Sequence, residues 1–274
     1  MTDLKITYIQ SQLHWEHPEK NREMFSGFMQ NIGQTDLVML PEMFNTGFTM
    51  SAEKNAEEPG GATFLWMKEK AKDLNCVITG SLIILENGKY YNRLIWMRPD
   101  GAYETYDKRH LFRMADEHLP FDYGHERLIV ELTGWRICPL ICYDLRFPVW
   151  SRNADFSANA KGGEMGNEPV FDCLLYVANW PEPRAEAWKS LLPARAIENQ
   201  VYVIGLNRIG KDGKEIPYAG DSMAIDPYGR KISNAKAHEE KVETVTLSKN
   251  LLEEFRKKFP VALDGDHFNI EIKA

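Results

Sequence analysis

The stretch GWRICPLICYDLRFP, Gly134 to Pro148, is the most informative segment of this chain. Its apolar run from Ile137 to Ile141 predicts a buried strand, and Cys142 follows where that strand should end. A strand that stops abruptly before a helical turn exposes the side chain at the turn and aims the next backbone N–H groups at whatever it attacks. Cys142 is therefore a candidate nucleophile. The alternative is a small buried apolar side chain, which is how cysteine is commonly used.

Strands alternate with helices along the rest of the chain. Apolar residues at helical spacing predict helices over residues 18–32, 63–75, 185–199 and 249–259, and short apolar runs predict strands between them. Asn87-Gly88 marks a hairpin turn. This alternation, with its hairpins, predicts a single α/β domain with a mixed sheet or a pair of sheets.

Three segments lack this alternation. Residues 154–168 are small, polar and glycine-containing, which predicts a mobile insert. Residues 260–274 form a C-terminal tail whose end, HFNIEIKA, is suited to pairing with a neighbour as a strand. Residues 109–127 show no sustained periodicity and predict a long surface loop, and loops of that length in a compact domain usually serve function.

The composition is that of an ordinary globular protein, with 274 residues of which 43% are hydrophobic and 27% charged. A net charge of −7 argues against nucleic acid as a partner, because phosphate contacts need clustered Lys and Arg. The N-terminus lacks the pattern of a signal peptide, and no apolar run is long enough to span a bilayer. We therefore expect a cytoplasmic protein with no membrane partner and with reduced thiols.

Two further predicted strands end on a side chain that can do chemistry. Glu42 follows the apolar run DLVML and Pro41, and Lys108 follows the predicted strand over residues 102–107. Each alone has another explanation, a surface turn for Glu42 and a solvated side chain for Lys108. Together with Cys142 they supply a base for the thiol proton, a cation for the oxyanion and a nucleophile, as acyl transfer through a thioester requires.

The segments LPEMFNTGF around Glu42, YDKRHLF around Lys108 and CPLICYDLRFP around Cys142 resemble the three signatures of the nitrilase superfamily of carbon–nitrogen hydrolases. The resemblance extends to VANWP, RAIENQVYVIGLNR and GDSMAIDPYGR, and so over nearly the whole chain. It implies a four-layer α-β-β-α sandwich, a Glu-Lys-Cys triad and a homodimer formed through helices. Within the superfamily the chain is most similar to the omega-amidases, which hydrolyse the terminal amide of 2-oxo acids such as 2-oxoglutaramate and 2-oxosuccinamate.

The resemblance also implies a second glutamate in the loop after the lysine, seven residues before a glycine. Glu117 fits this placing because Gly124 lies seven residues further on, and Glu126 is the competing candidate. In the mechanism that we expect, the backbone N–H of Tyr143 shares the oxyanion with Lys108.

A 2-oxo acid needs a cation for its carboxylate. Arg146, Arg184 and Arg113 are candidates, because a guanidinium can donate two hydrogen bonds to a carboxylate. For Arg146 a structural ion pair is the alternative. Trp180 and Phe44 follow predicted strands and are candidate walls of the substrate pocket, although aromatic residues beside a core commonly only pack.

Other functions of the same fold stay open at this stage. An N-carbamoyl amino acid amidohydrolase, a nitrile hydrolase or another aliphatic amidase would use the same triad with a different pocket. A non-catalytic binding module would lack a reactive thiol. The sequence contains neither HExxH nor GxSxG and no paired cysteines, so we expect no metal and no cofactor.

Overall fold

The computed structural model describes residues 2–154 and 169–266. The expected mobile insert, apart from Ala154, and the last eight residues of the expected tail lie outside the described residues. The helices are α1 (Pro18–Met29), α2 (Ala52–Asn55), α3 (Ala62–Leu74), α4 (Ala185–Asn199) and α5 (Lys249–Lys258). The strands are β1 (Leu4–Gln10), β2 (Leu37–Met39), β3 (Val77–Glu86), β4 (Lys89–Met97), β5 (Tyr103–Asp107), β6 (Val130–Leu132), β7 (Trp135–Ile141), β8 (Cys173–Ala178), β9 (Tyr202–Asn207), β10 (Ile209–Lys211), β11 (Pro217–Ala219), β12 (Met223–Ile225) and β13 (Lys241–Leu247). Within the described ranges, no helix combines the length and the apolar character needed to cross a membrane.

The strands form two mixed sheets and one small ribbon. The first sheet has the order β13-β1-β2-β3-β4-β5, with β1, β2 and β3 parallel and the other pairs antiparallel. The second has the order β12-β9-β8-β7-β6, with β9, β8 and β7 parallel. Strands β10 and β11 form an antiparallel ribbon. Because parallel strands end at the same edge of a sheet, the residues after β2 and after β7 and β8 are gathered at two such edges.

Side chains that alternate between the two faces of a strand separate the core between the sheets from the core beneath the helices. In β2, Leu37 and Met39 face the second sheet and join the main core, whereas Val38 and the following Leu40 face the helices on the outside of the first sheet. Successive side chains of a strand point to opposite faces, so a strand buried on both sides reads as a continuous apolar run. The main core therefore lies between the two sheets.

Helices cover the outer face of each sheet. Helices α1 and α3 pack on the first sheet through residues that include Phe25 and Met67. Helix α4 packs on the second sheet through Trp188 and Leu192, which approach β9 at Gly205. A Cβ at Gly205 would lie 2.5 Å from Leu192 Cδ1, so only glycine permits this close approach. The result is the four-layer α-β-β-α sandwich that the family resemblance implies.

A buried carboxylate ties helix α5 to the second sheet. Asp172, 1% exposed, accepts hydrogen bonds from Lys249 Nζ at 2.7 Å, from Arg256 Nη1 at 2.7 Å and from the backbone N–H of Arg136 at 3.1 Å. Burial by itself would raise the pKa of Asp172, but these donors and their charges lower it to about 2. This carboxylate is therefore ionised in the folded chain at all but very acidic pH.

Candidate active site

Glu42, Lys108 and Cys142 meet at the ends of their strands. Lys108 directly follows β5, Cys142 directly follows β7, and Glu42 lies three residues after β2. Glu42 and Lys108 are almost completely buried, at 0% and 1% exposed, and Cys142 is 8% exposed. Since the first sheet carries two of these residues and the second carries Cys142, the three side chains meet where the two sheets face each other.

The lysine is held between two carboxylates. Lys108 Nζ donates to Glu42 Oε1 at 2.8 Å and to both oxygens of Glu117 at 2.9 Å. Glu117, 0% exposed, also accepts the backbone N–H of Phe112 at 2.5 Å. The competing candidate, Glu126, is exposed. The structure therefore brings Glu117, and not Glu126, into this cluster.

Two asparagines that the sequence did not single out complete the cluster. Asn92 Nδ2, on β4, donates to Glu42 at 2.8 Å and to Glu117 at 3.2 Å. Asn179, directly after β8, donates its backbone N–H to Glu42 Oε2 at 2.8 Å and its side-chain amide to the carbonyl oxygen of Glu42. Both glutamates are therefore fixed in place by neutral donors as well as by Lys108. For Asn179 the missed signal was its position after a buried strand, which it shares with Lys108 and Cys142.

The turn that carries Cys142 is strained. Cys142 has φ +43°, a left-handed conformation that side chains other than glycine rarely adopt. It opens a 3₁₀ turn over Cys142–Arg146. The backbone N–H of Tyr143 belongs to the first residues of this turn, whose N–H groups have no acceptor within it. The turn places Cys142 in the wall of a cavity, with the N–H group of Tyr143 next to it in the chain.

Burial and charge set the protonation of the cluster. Burial raises the pKa of the Cys142 thiol well above its ordinary value, and the carboxylate of Glu42 raises it further while Lys108 opposes the shift. Burial also raises the pKa of Glu117, again against the effect of Lys108. Burial would lower the pKa of Lys108, but the charges of Glu117 and Glu42 outweigh it and the pKa is raised. Lys108 is therefore a permanent cation, and the resting thiol keeps its proton.

Cys142 and Lys108 line a cavity of about 200 Å³. Trp180, Arg146 and Arg184 lie in its wall. The guanidinium of Arg146 stacks 5.2 Å from the ring centroid of Trp180, and neither arginine forms an ion pair with any residue in the described ranges. The structural ion pair considered for Arg146 is therefore not seen there. Drug-sized ligands occupy pockets of roughly 300–1,000 Å³, so this cavity suits a small substrate.

Two residues expected in the pocket lie elsewhere. Phe44 is fully buried in the core beneath α1 and α3, with its ring 5.6 Å from that of Phe25. Phe48 takes the wall position instead, and Lys108 Nζ lies 5.1 Å from its ring centroid. Both phenylalanines lie in an irregular segment without periodicity, so the sequence does not show which of them faces the pocket. Arg113 is exposed and lines a neighbouring cavity.

A cysteine on a strained turn, a buried lysine and two buried carboxylates, placed between the sheets of a four-layer sandwich, are the features of a thiol-dependent hydrolase. The chain belongs to the carbon–nitrogen hydrolase family, whose model matches residues 8–257. The family and the fold predicted from the sequence are thereby confirmed.

Individual relatives match the chain over nearly its full length. It is 44% identical over 270 residues to "Omega-amidase YafV" of Escherichia coli (strain K12), covering 98% of this chain and 100% of that protein. It is 33% identical over 260 residues to the "2-oxoglutaramate amidase" of Bacillus subtilis (strain 168), covering 93% and 95%. A crystal structure of XC1258 from Xanthomonas campestris, described as a CN-hydrolase superfamily protein with an arsenic adduct in the active site, is similar with a TM-score of 0.92 and 45% identity. It covers 99% of this chain and 100% of that one.

Proposed function

We propose that this chain is an omega-amidase, which hydrolyses the terminal amide of a small 2-oxo acid to the dicarboxylic 2-oxo acid and ammonia. The relatives named omega-amidase and 2-oxoglutaramate amidase support this activity over nearly the whole chain. The observation that carries the mechanism is the contact of Lys108 with Glu42 and Glu117 beside the cavity that contains Cys142. Burying charged groups carries a desolvation penalty, and clusters of buried ionisable groups beside a cavity are typical of functional sites.

In the first half-reaction, Glu42 accepts the thiol proton of Cys142 as the sulfur attacks the amide carbon. The C–S bond forms, and the carbonyl oxygen becomes an oxyanion held by Lys108 Nζ and the backbone N–H of Tyr143. Each donor of this type contributes on the order of 3 kcal/mol to the transition state. The protonated Glu42 then gives its proton to the nitrogen, the C–N bond breaks, and ammonia leaves a thioester on Cys142.

In the second half-reaction, water replaces ammonia as the partner of Glu42. Glu42 accepts a proton from the water while the water oxygen attacks the thioester carbon. Glu117 assists through its contacts with Lys108 and Asn92. The C–S bond breaks, the carboxylic acid is released, and the proton returns to Cys142. The same pair of oxyanion donors serves both halves, because both pass through a tetrahedral oxyanion at one carbon.

Arg146 and Arg184 provide the anchor for the carboxylate at the other end of the substrate. Both line the cavity, and neither has an acidic partner in the described ranges, so each is able to pair with an anion without giving up an ion pair. Both guanidinium groups contact aromatic rings, Arg146 that of Trp180 and Arg184 that of Phe112. Trp180 and Phe48 contribute apolar surface to the wall of the same cavity. A substrate with a carboxylate at one end and an amide at the other fits this distribution of charge.

The experiment is ammonia release from 2-oxoglutaramate and from 2-oxosuccinamate, with glutamine, asparagine and an N-carbamoyl amino acid measured alongside. Turnover confined to the 2-oxo amides, and abolished in Cys142→Ala, is the expected result. Activity only on another substrate would overturn the omega-amidase assignment and keep the thiol mechanism. Undiminished turnover by Cys142→Ala would overturn the mechanism.

A homodimer is also proposed, formed through the apolar surface of helices α4 and α5. Ile197 on α4 is 55% exposed and lies next to Gly229, and the neighbouring Tyr228 packs 4.0 Å from the ring of Phe255 on α5. Phe259, 59% exposed, extends this patch. Exposed apolar patches of this kind commonly mark interfaces.

Light scattering of the wild type should give twice the chain mass, and Ile197→Lys should shift the measured mass towards that of the monomer. A monomeric wild type would refute the dimer.

A cytoplasmic location is proposed from the thiols. Cys76, Cys138, Cys142 and Cys173 are all unpaired and buried. Free thiols are typical of reducing compartments. Cell fractionation, with recovery of the activity in the cytoplasmic fraction, tests this placing.

A further inference from the structure

Asp144, two residues after the proposed nucleophile, is buried and fully occupied as an acceptor. Its side chain is 0% exposed. One oxygen accepts the hydroxyl of Tyr106 at 2.7 Å and the backbone N–H of Ile141 at 3.0 Å. The other lies 3.0 Å from the backbone N–H of His110 and 2.8 Å from His110 Nδ1. A carboxylate has about four lone-pair sites, so all of them are used here.

These four contacts join the two segments that carry the reacting groups. Ile141 is the residue before Cys142, and Tyr106 and His110 each lie two residues from Lys108. The carboxylate of Asp144 therefore fixes the turn that carries Cys142 and the segment that carries Lys108 relative to each other. Neither segment is otherwise tied to the other by regular pairing, since β5 lies in the first sheet and β7 in the second.

The partners of Asp144 are themselves held rigidly. Tyr106 also accepts Trp150 Nε1–H at 3.0 Å and the backbone N–H of Arg109 at 3.3 Å. The ring of His110 stacks on Phe147 with centroids 3.7 Å apart and planes 6° from parallel. Such a network holds geometry more firmly than a single contact would.

We propose that Asp144 is a positioning residue, which holds the strained Cys142 turn and the Lys108 loop at the separation that the acylation step requires. This inference rests on the proposed thiol mechanism. Cys142 keeps its left-handed backbone only if its surroundings impose it, and the bond from Ile141 N–H to Asp144 fixes the residue directly before it. A misplacement of about 1 Å between reacting groups can lower a rate about 100-fold.

The test is Asp144→Asn, which keeps the size of the side chain and presents an NH₂ group to one of the two pairs of donors. We expect kcat on 2-oxoglutaramate to fall by about 10- to 100-fold with KM changed less than about threefold, because the pocket wall is untouched. The rate of alkylation of Cys142 by iodoacetamide, followed by mass spectrometry, should fall in parallel. Tyr106→Phe removes a single donor and should give a smaller loss of the same kind.

Asp172→Asn is the matched control, because Asp172 is an equally buried carboxylate with several donors but lies outside the site. It should lower the melting temperature and leave kcat and the alkylation rate unchanged. The proposal is overturned if folded Asp144→Asn keeps kcat and alkylation within threefold of wild type. If Asp144→Asn does not fold, unchanged values for Tyr106→Phe overturn it. If the wild type is inactive on 2-oxo amides but iodoacetamide still alkylates Cys142, only the omega-amidase assignment is rejected. The alkylation rates of wild type and Asp144→Asn then still test the role of Asp144.

Discussion

Replacing Lys108 with methionine should destabilise the folded chain, and more so at higher pH. Lys108 Nζ lies 2.8 Å from Glu42 and 2.9 Å from Glu117, and the three side chains are at most 1% exposed. Methionine keeps most of the volume and removes the charge. Two carboxylates would then share a buried site without a cation, whereas the wild-type cluster has two carboxylates around one ammonium.

The expected magnitude follows from the loss of that cation. Removing one partner of a buried ion pair costs about 3–5 kcal/mol. Burial raises the pKa of Glu117 even in the wild type, with Lys108 as the main opposing effect, so the pKa rises further in Lys108→Met. A carboxyl group with a raised pKa in the folded state stabilises that state below its unfolded pKa and loses this contribution as pH rises through the folded pKa. The deficit should therefore grow between pH 5 and pH 8.

Urea unfolding at pH 5 and pH 8 measures this deficit. We expect Lys108→Met to lose about 3–5 kcal/mol at pH 8 and clearly less at pH 5. The double variant Lys108→Met/Glu117→Gln should regain part of the loss at pH 8, because it leaves one buried carboxylate instead of two. Lys89→Met, which removes a lysine from the exposed pair with Asp122, is the control and should show no such pH dependence. Equal deficits at both pH values, with no recovery in the double variant, would show that Lys108 does not compensate the charge of Glu117.

Two further predictions concern substrate binding and acid stability. Arg184→Met and Arg146→Met should each raise KM for 2-oxoglutaramate by about 10- to 100-fold with little change in kcat, since a charge-assisted hydrogen bond contributes about 1.5–3 kcal/mol. Arg113→Met, outside the cavity, is the control and should change neither KM nor kcat. A raised KM in Arg113→Met alone would contradict the placement of the carboxylate anchor. The pKa of Asp172 is lowered to about 2 from 3.8, so its roughly 2 kcal/mol of stabilisation is present above pH 4 and is lost as pH falls towards 2. The gap in unfolding free energy between wild type and Asp172→Asn should accordingly narrow by about 1 kcal/mol from pH 5 to pH 3, and a constant gap would count against this pKa.

The sequence predicts those parts of the site that depend on where buried strands end. Lys108 and Cys142 directly follow β5 and β7, and each position can be found from a local apolar run. Phe44 and Phe48 show the limit of such reasoning, because both follow β2 in a segment without a period and only one faces the cavity. Long-range partners are also invisible, as in the contact between Asn179 and Glu42, which are 137 positions apart.

The same limit applies to the charge state of the thiol, which no motif encodes. Lys108 already balances only one of the two carboxylates beside it, so a thiolate on Cys142 would be a third anion around a single ammonium. Burial and Glu42 accordingly raise the pKa of Cys142, and the resting thiol is neutral. In the proposed attack on the amide carbonyl, the negative charge forms on the carbonyl oxygen and the thiol proton moves to Glu42, so the number of buried anions near Lys108 does not increase. In the proposed mechanism this arrangement favours proton transfer concerted with attack over formation of a free thiolate. The position of the thiol, for which we propose Asp144 as the positioning residue, then matters more than its acidity.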